Sequence, residues 1–209
     1  MTTAGPAALD RTATPAAAPR SARFALREAT RAVHARLHVH PVLGTVQAGT
    51  IELASYRVLL GRLYGFHVPF EAAAGIAPER SEWLADDMRT LGLTNAAIAA
   101  LPLCASLPRL DTPHRRLGAQ YVVEGSTLGG RELSKRLDHL FGPDVRAGRC
   151  FFSGRDADTG KAWRTFADGL DAAGEDPAAC AEMIAAAVET FAAFETWLDW
   201  KAAGTHAER

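Results

Sequence analysis

Residues 117–140, LGAQYVVEGSTLGGRELSKRLDHL, contain four glycines within an otherwise helical pattern. Each glycine inside a helix costs about 1 kcal/mol relative to alanine, so the four together cost about 3–4 kcal/mol. Gly118, Gly125 and Gly129 lie near one face of such a helix and leave bare backbone there. A neighbouring helix packed through small residues or a flat ligand would offset this cost, and a kink at Gly129-Gly130 is compatible with both.

From residue 21 onward, apolar residues recur at helical spacing, and Ala, Leu, Glu and Arg outnumber the β-branched residues that are typical of strands. The pattern predicts an all-α protein, a compact single-domain helical bundle. The first predicted helix runs from Ser21 to Leu37, with a break at His40-Pro41, and the second runs from a Thr50 cap to Pro69, which kinks or ends it. Further helices are predicted from Glu79 to Leu91, from a Thr112 cap to Gly142, and around Trp163 to Leu170. The last runs from an Asp176 cap to Leu198 and carries a stripe through Val188 that should be buried.

The composition describes an ordinary folded domain: 209 residues, of which 48% are hydrophobic and 22% charged. It excludes collagen-like, coiled-coil and disordered proteins. A formal net charge of -1 provides no field that would recruit nucleic acid. The three cysteines form no CxxC pair, which favours a reducing compartment, and we expect a cytoplasmic protein. No stretch approaches eighteen consecutive apolar residues, so we expect no membrane span.

The domain boundaries are predicted from changes in composition along the chain. Residues 1–20 form an Ala/Pro/Thr tract without the apolar run of a secretory signal, and we expect a disordered arm. A single helical domain should then occupy residues 21–203, followed by a flexible tail at 204–209.

Among seven histidines, four of which precede residue 70, His34 has the most informative position. It lies at the edge of the apolar stripe of the first helix, and Arg27 lies two turns earlier on the same side, about 10 Å away. This spacing suits heme, whose iron binds a neutral imidazole and whose rim carries carboxylates. A small metal site formed with His38 is an alternative that lacks a third ligand, and a structural histidine without a metal is another.

Two segments resemble motifs of the heme oxygenases, particularly the bacterial biliverdin-producing branch. LREATRAVH at 26–34 resembles the proximal helix, which ends in the axial histidine, and YVVEGSTLGG at 121–130 resembles the distal helix, whose glycines lie over the heme face. LLGRLYGFHVPFE at 59–71 and the region around Trp163 extend the likeness over roughly residues 22–200. The resemblance therefore implies the heme oxygenase fold.

The resemblance also implies roles for individual residues. His34 would be the proximal ligand of the heme iron, and Gly125 and Gly129 would be the catalytic glycines of the distal side. Heme b would also be contacted by other residues of the two motifs: Arg27, at a propionate; Tyr121, more weakly; and Gly130. Further basic residues that could reach the propionate edge are Arg136, Lys161 and Arg164.

Ser126 departs from the mammalian pattern, in which an aspartate after the first distal glycine anchors the water that delivers protons. Some bacterial members lack this aspartate as well. We expect Ser126, backbone groups and ordered water to share its catalytic task.

The activity implied by the resemblance is oxidative opening of heme to biliverdin, with release of carbon monoxide and ferrous iron. Heme would be both substrate and cofactor, O2 the co-substrate, and electrons would come from outside. Because the chain has no nucleotide-binding motif and no cysteine cluster, a separate reductase or ferredoxin is implied. A bacterial phytochrome is a candidate acceptor of the biliverdin.

The main competing function is a non-catalytic heme carrier or sensor with the same fold. Related helical bundles also include thiamin-degrading enzymes and di-iron carboxylate proteins. The sequence has no Glu-x-x-His pair for a di-iron site, and no cysteine stands in a context that identifies a nucleophile.

Overall fold

The computed structural model describes residues 21–199, and within this range it is helical without strands, which confirms the all-α prediction. The predicted arm at 1–20 and the tail at 204–209 lie outside the described residues. The helices are α1 Ala22–His38, α2 Pro41–Ala48, α3 Leu53–Ala74, α4 Glu79–Thr90, α5 Asn95–Ala99, α6 Pro113–Lys135, α7 Asp138–Phe141, α8 Cys150–Ser153, α9 Thr159–Ala173 and α10 Pro177–Leu198, with a 3₁₀ turn at Asp156–Asp158.

The pairing of α6 with α10 is the most extensive helix contact among the described residues, and α1 and α9 pack beside it. A Cβ atom on Gly118 would lie 2.5 Å from the Met183 Cα atom and closer still to its carbonyl oxygen. The backbones of the two helices can approach this closely only because residue 118 is glycine. Helix packing therefore accounts for the first of the four glycines.

The main core lies where α1, α3, α4 and α10 meet, and its fully buried side chains include Leu26, Leu60 and Met88. Tyr56 is also buried there, and its hydroxyl donates a hydrogen bond to the Gly148 carbonyl at 2.9 Å, which ties α3 to the segment before α8. A second, smaller core cluster forms against α6. Buried side chains of α1 and α6 belong to these clusters, so core packing fixes the positions of both helices in the bundle.

Two helix starts are confirmed in atomic detail. The Thr112 hydroxyl accepts a hydrogen bond from the Arg115 amide at 3.1 Å, and the Asp176 carboxylate accepts one from the Ala178 amide at 3.0 Å. In both helices, proline occupies the first position, where the absence of an amide hydrogen has no cost.

Several predicted boundaries are wrong because local signals have more than one structural use. Pro41 does follow the break after α1, but it also begins the unpredicted helix α2. Thr50 is not a cap, since α3 begins after Glu52, and Pro69 lies inside α3, which continues to Ala74. Helix α6 ends at Lys135, and the short α7 then ends at Gly142. Val188 is 40% exposed, so the predicted buried stripe of the last helix is incomplete.

Helix α10 is long and apolar enough, by length and composition, to cross a membrane. In the structure, however, it packs against α6, α1 and α3, and Met183, Ala186 and Ala187 are fully buried in these contacts. The same length and composition are found in the central helix of a helical bundle.

Candidate functional site

His34 lies on the outer side of α1, next to the buried Val33, and its ring is exposed. It meets the Phe191 ring edge-on at 6.2 Å between centroids and the His38 ring at 4.6 Å. Partial desolvation by these neighbours lowers the pKa of His34, and the positive potentials of His38 and Arg27 lower it further. The neutral imidazole that metal ligation requires is therefore favoured.

Arg27, Thr30 and Tyr121 connect α1 with α6. The Thr30 hydroxyl and the Arg27 charge both act on the Tyr121 phenol, and the same charge acts on His34. The Thr30 hydroxyl itself donates a hydrogen bond to the Leu26 carbonyl at 2.8 Å. Burial raises the pKa of Tyr121, against the opposing effects of Thr30 and Arg27, so the phenol remains a neutral donor. His34 and Gly125 each lie one helical turn from this contact.

Gly125 and Gly129 leave bare α6 backbone that no other helix approaches as closely as α10 approaches Gly118. A Cβ atom on Gly125 would make an ordinary contact with the Trp163 ring at 3.8 Å, and one on Gly129 would have no atom within 4 Å. Gly129 is also exposed. Neither glycine is required by packing within the described residues.

Gly130 faces another helix, although the resemblance implies that it contacts heme together with Gly125 and Gly129. It is buried, and a Cβ atom there would lie 2.7 Å from the Phe152 carbonyl oxygen in α8. Close helix packing therefore explains Gly130 as it explains Gly118. Gly130 therefore lies outside the site proposed below.

The Ser126 hydroxyl donates a hydrogen bond to the Val123 carbonyl at 2.8 Å, and the residue is exposed. Its oxygen lone pairs can still accept a hydrogen bond. Of the other basic candidates, Arg136 pairs with Glu132 at 3.5 Å, while Lys161 and Arg164 are exposed on α9.

The model of the heme oxygenase family matches residues 21–199 of this chain, the whole of the described bundle. The chain belongs to the heme oxygenase family. A heme oxygenase of Xanthomonas campestris pv. campestris (strain 8004) is 35% identical over 115 residues, which are 55% of this chain and 64% of that protein. The matched part thus spans less than two thirds of the relative's length.

Solved heme oxygenase structures share the fold. The heme oxygenase of Leptospira interrogans matches with a TM-score of 0.72 and 17% identity, covering 85% of this chain and 98% of that one. The NO- and CO-bound enzyme of Neisseria meningitidis matches at 0.67 and 24%, covering 85% and 90%. Heme oxygenase-1 of Synechocystis sp. PCC6803, in complex with heme, matches at 0.66 and 20%, also covering 85% and 90%.

No group of three or more His, Cys, Asp or Glu side chains that could hold a metal ion occurs within residues 21–199. His34 and His38 therefore gain no third ligand from that part of the chain. Heme, which brings four ring nitrogens of its own, needs a single axial histidine from the protein.

Helix α6 also carries a cluster of partly to fully buried charges that the sequence did not predict. Glu124 in the motif YVVEGSTLGG lies between Arg80 of α4 and Arg155, which follows α8. A cue in the sequence is that a carboxylate stands in a motif made otherwise of apolar, small and hydroxyl residues. Its arginine partners are distant along the chain, so only the fold identifies them.

Proposed function

We propose that this protein degrades heme, opening the ring to biliverdin with release of carbon monoxide and ferrous iron, using O2 and electrons from a separate reductase or ferredoxin. The observation that carries the proposal is the combination of an accessible, neutral His34 on α1 with open backbone at Gly125 and Gly129 on α6, two helices that come together at Arg27, Thr30 and Tyr121. A heme site needs an iron ligand on one face of the ring and space for oxygen on the other; His34 would provide the ligand, and the glycines of α6 would provide the space.

His34 would bind the iron through an imidazole lone pair that its neutral form leaves free. Arg27 is an exposed cation and Tyr121 a neutral phenol donor beside it, so together they would hold a propionate carboxylate by charge and by a hydrogen bond. When bound, heme supplies both the reactive ring carbons and the metal that activates oxygen.

On the distal side, glycine at 125 and 129 would let the ring and a diatomic molecule approach the backbone without meeting a side chain. The Ser126 hydroxyl donates its hydrogen bond to the Val123 carbonyl, so its oxygen would accept a hydrogen bond from water and orient that water. Proton delivery would then rely on ordered water held by Ser126 and α6 backbone groups. We expect Ser126→Ala to slow turnover, and unchanged turnover would remove the hydroxyl from the mechanism.

The decisive experiment adds hemin to the purified full chain, then a ferredoxin, its reductase and NADPH, with catalase present. We expect the Soret band to give way to biliverdin absorption, carbon monoxide to be trapped by added ferrous myoglobin, and one or more biliverdin isomers to appear on chromatography. Formation of a stable ferrous or ferrous-oxy complex without ring opening would instead establish the heme carrier or sensor.

The cytoplasmic location belongs to the same proposal, because soluble electron donors and O2 are available there. Transfer of biliverdin to a bacterial phytochrome is a further step that the products would permit. It would be tested by following covalent chromophore attachment to an added apophytochrome during turnover.

A further inference from the structure

The open side of α6 does not itself fix how this helix is rotated about its axis. Gly129 has no neighbour within 4 Å of its Cβ position, and Gly125 makes at most an ordinary contact with the Trp163 ring. A helix segment with interior glycines also has a more permissive backbone than one built of other residues. Close packing at Gly118 and Gly130 sets α6 against α10 and α8, and side-chain contacts away from the bare face can add a further constraint on its rotation.

Glu124 lies on a part of α6 turned away from the bare face, with a positive partner for each carboxylate oxygen. Arg80 Nη2 lies 2.8 Å from Glu124 Oε1, and Arg155 Nη1 lies 2.9 Å from Oε2. The side chains of Arg80 and Glu124 are 2% and 15% exposed, so water screens this ion pair little. Burial alone would raise the pKa of Glu124, but the hydrogen bonds and charges of Arg155 and Arg80 outweigh it and hold the pKa below its ordinary value.

Thr127 provides a second attachment on the same side. The Arg80 guanidinium donates to Thr127 Oγ1 from Nε at 3.3 Å and from Nη2 at 3.2 Å. At 3.6 residues per turn, Thr127 lies about 160° around the helix from both Gly125 and Gly129, whereas Glu124 lies about 100° from Gly125 and about 140° from Gly129. One arginine thus contacts two residues, i and i+3, that are turned away from the bare backbone, and Thr127 lies almost opposite it.

Arg80 is itself held in place by the start of α4. Its backbone amide donates to Glu71 Oε1 at 2.8 Å, and the Ser81 amide donates to Glu71 Oε2 at 3.2 Å. Arg155 also pairs with Glu79, so the two arginines are balanced by two glutamates. Buried ion pairs contribute little net stability compared with apolar packing, but they can select one arrangement over its alternatives.

From these contacts we infer that Arg80 and Glu124 are positioning residues, which fix the rotation of α6 so that Gly125 and Gly129 face the heme. The inference rests on the proposed function for its consequence. The clamp formed by Arg80, Glu124, Arg155 and Thr127 is nevertheless testable in the heme-free protein.

The first experiment measures amide hydrogen exchange over residues 123–130 of the heme-free full chain. Glu124→Gln keeps the size of the side chain and removes its charge, so we expect exchange to quicken about tenfold in this segment while circular dichroism stays unchanged. The matched control is Asp138→Asn, which deprives the buried Arg149 of its carboxylate but leaves it the Ser134 and Gly142 carbonyls. The control should leave exchange at 123–130 unchanged.

The second experiment records the C–O stretching band of the ferrous-CO complex, which reports the polarity and geometry of the distal side. We expect Glu124→Gln to shift or split this band and to alter the ratio of biliverdin isomers. Asp138→Asn should do neither. Arg80→Lys retains the charge but loses the fork that reaches both Glu124 and Thr127, so its band should lie between those of wild type and Glu124→Gln.

Wild-type exchange rates over 123–130 in a folded Glu124→Gln protein would overturn the clamp. If that variant fails to fold, Thr127→Val, which has the same shape, replaces it in both experiments, and unchanged exchange and an unchanged CO band would then refute the inference. Failure of the wild type to bind hemin would reject the proposed function, whereas the heme-free exchange data would still decide whether the clamp holds α6.

Discussion

Replacing Gly129 with alanine should stabilise the heme-free protein and weaken heme binding. The position lies inside α6, and a Cβ atom would have no neighbour within 4 Å, so the methyl group meets no steric cost without heme. Alanine inside a helix is favoured over glycine by about 0.5–1 kcal/mol. For a domain of this size, such a gain raises the melting temperature by roughly 1–4 °C.

The same methyl group would project into the space that we assign to the ring or to oxygen. Overpacking a closely fitted site costs about 1–3 kcal/mol, which corresponds to a roughly five- to hundred-fold loss of hemin affinity. The assay combines thermal unfolding of the heme-free protein with a hemin titration followed at the Soret band. Stability and affinity should therefore move in opposite directions.

Gly118→Ala is the matched control, because it introduces the same methyl group into the same helix. There the Cβ atom would overlap the Met183 backbone, so α6 and α10 would have to separate and the melting temperature should fall. A Gly129→Ala protein that binds hemin with wild-type affinity and turns over normally would show that this face does not contact the ligand. A lower melting temperature for Gly129→Ala would refute the open environment of the glycine.

Three further predictions concern other parts of the molecule. The His38 ring lies 4.6 Å from the His34 ring, so in His34→Ala we expect His38 to bind the iron in part of the molecules, as seen in the hemin spectrum. The His34→Ala/His38→Ala double variant should show no histidine ligation. A wild-type spectrum in the double variant would exclude His34 as the iron ligand. Arg27→Gln should weaken hemin binding about five- to tenfold, and Tyr121→Phe should weaken it by a smaller factor. Neither variant should weaken the binding of a heme dimethyl ester, whose propionates carry no charge. Weaker binding of the ester as well would argue against contact with a propionate. Burial raises the pKa of Asp87 to about 6 from 3.8, so folding favours the protonated form and the free energy of unfolding decreases as the pH rises from about 4 to about 6. The decrease should be on the order of 3 kcal/mol, and urea unfolding should show that Asp87→Asn removes it. Equal pH profiles for the variant and the wild type would refute this.

The sequence was sufficient for the fold class and the family because both depend on signals that are local or repeated along the chain. Helical periodicity and the Thr112 and Asp176 caps act within a few residues, and they were confirmed. The errors arose where one residue has two local uses. Pro41 both follows a break and begins a helix, and Pro69 sits within a helix that tertiary packing maintains.

The candidate site was predictable to the extent that it consists of motif residues. His34, Arg27, Tyr121 and the glycines of α6 came from spacing and resemblance, and their ligand contacts remain predictions. The clamp around Glu124 was not predictable, because its arginines come from α4 and from the segment after α8. No pattern within α6 indicates which distant cations pair with that carboxylate.

By itself, the sequence determined that α6 would carry bare backbone and that His34 would stand at the edge of the α1 stripe. Only the tertiary structure decided what the glycines are for: Gly118 and Gly130 admit the backbones of α10 and α8, whereas Gly125 and Gly129 leave α6 open. The physical reason is that the face on which a residue lies follows from helical geometry, which is local. The neighbour that the face meets depends on contacts between elements that are far apart in the chain.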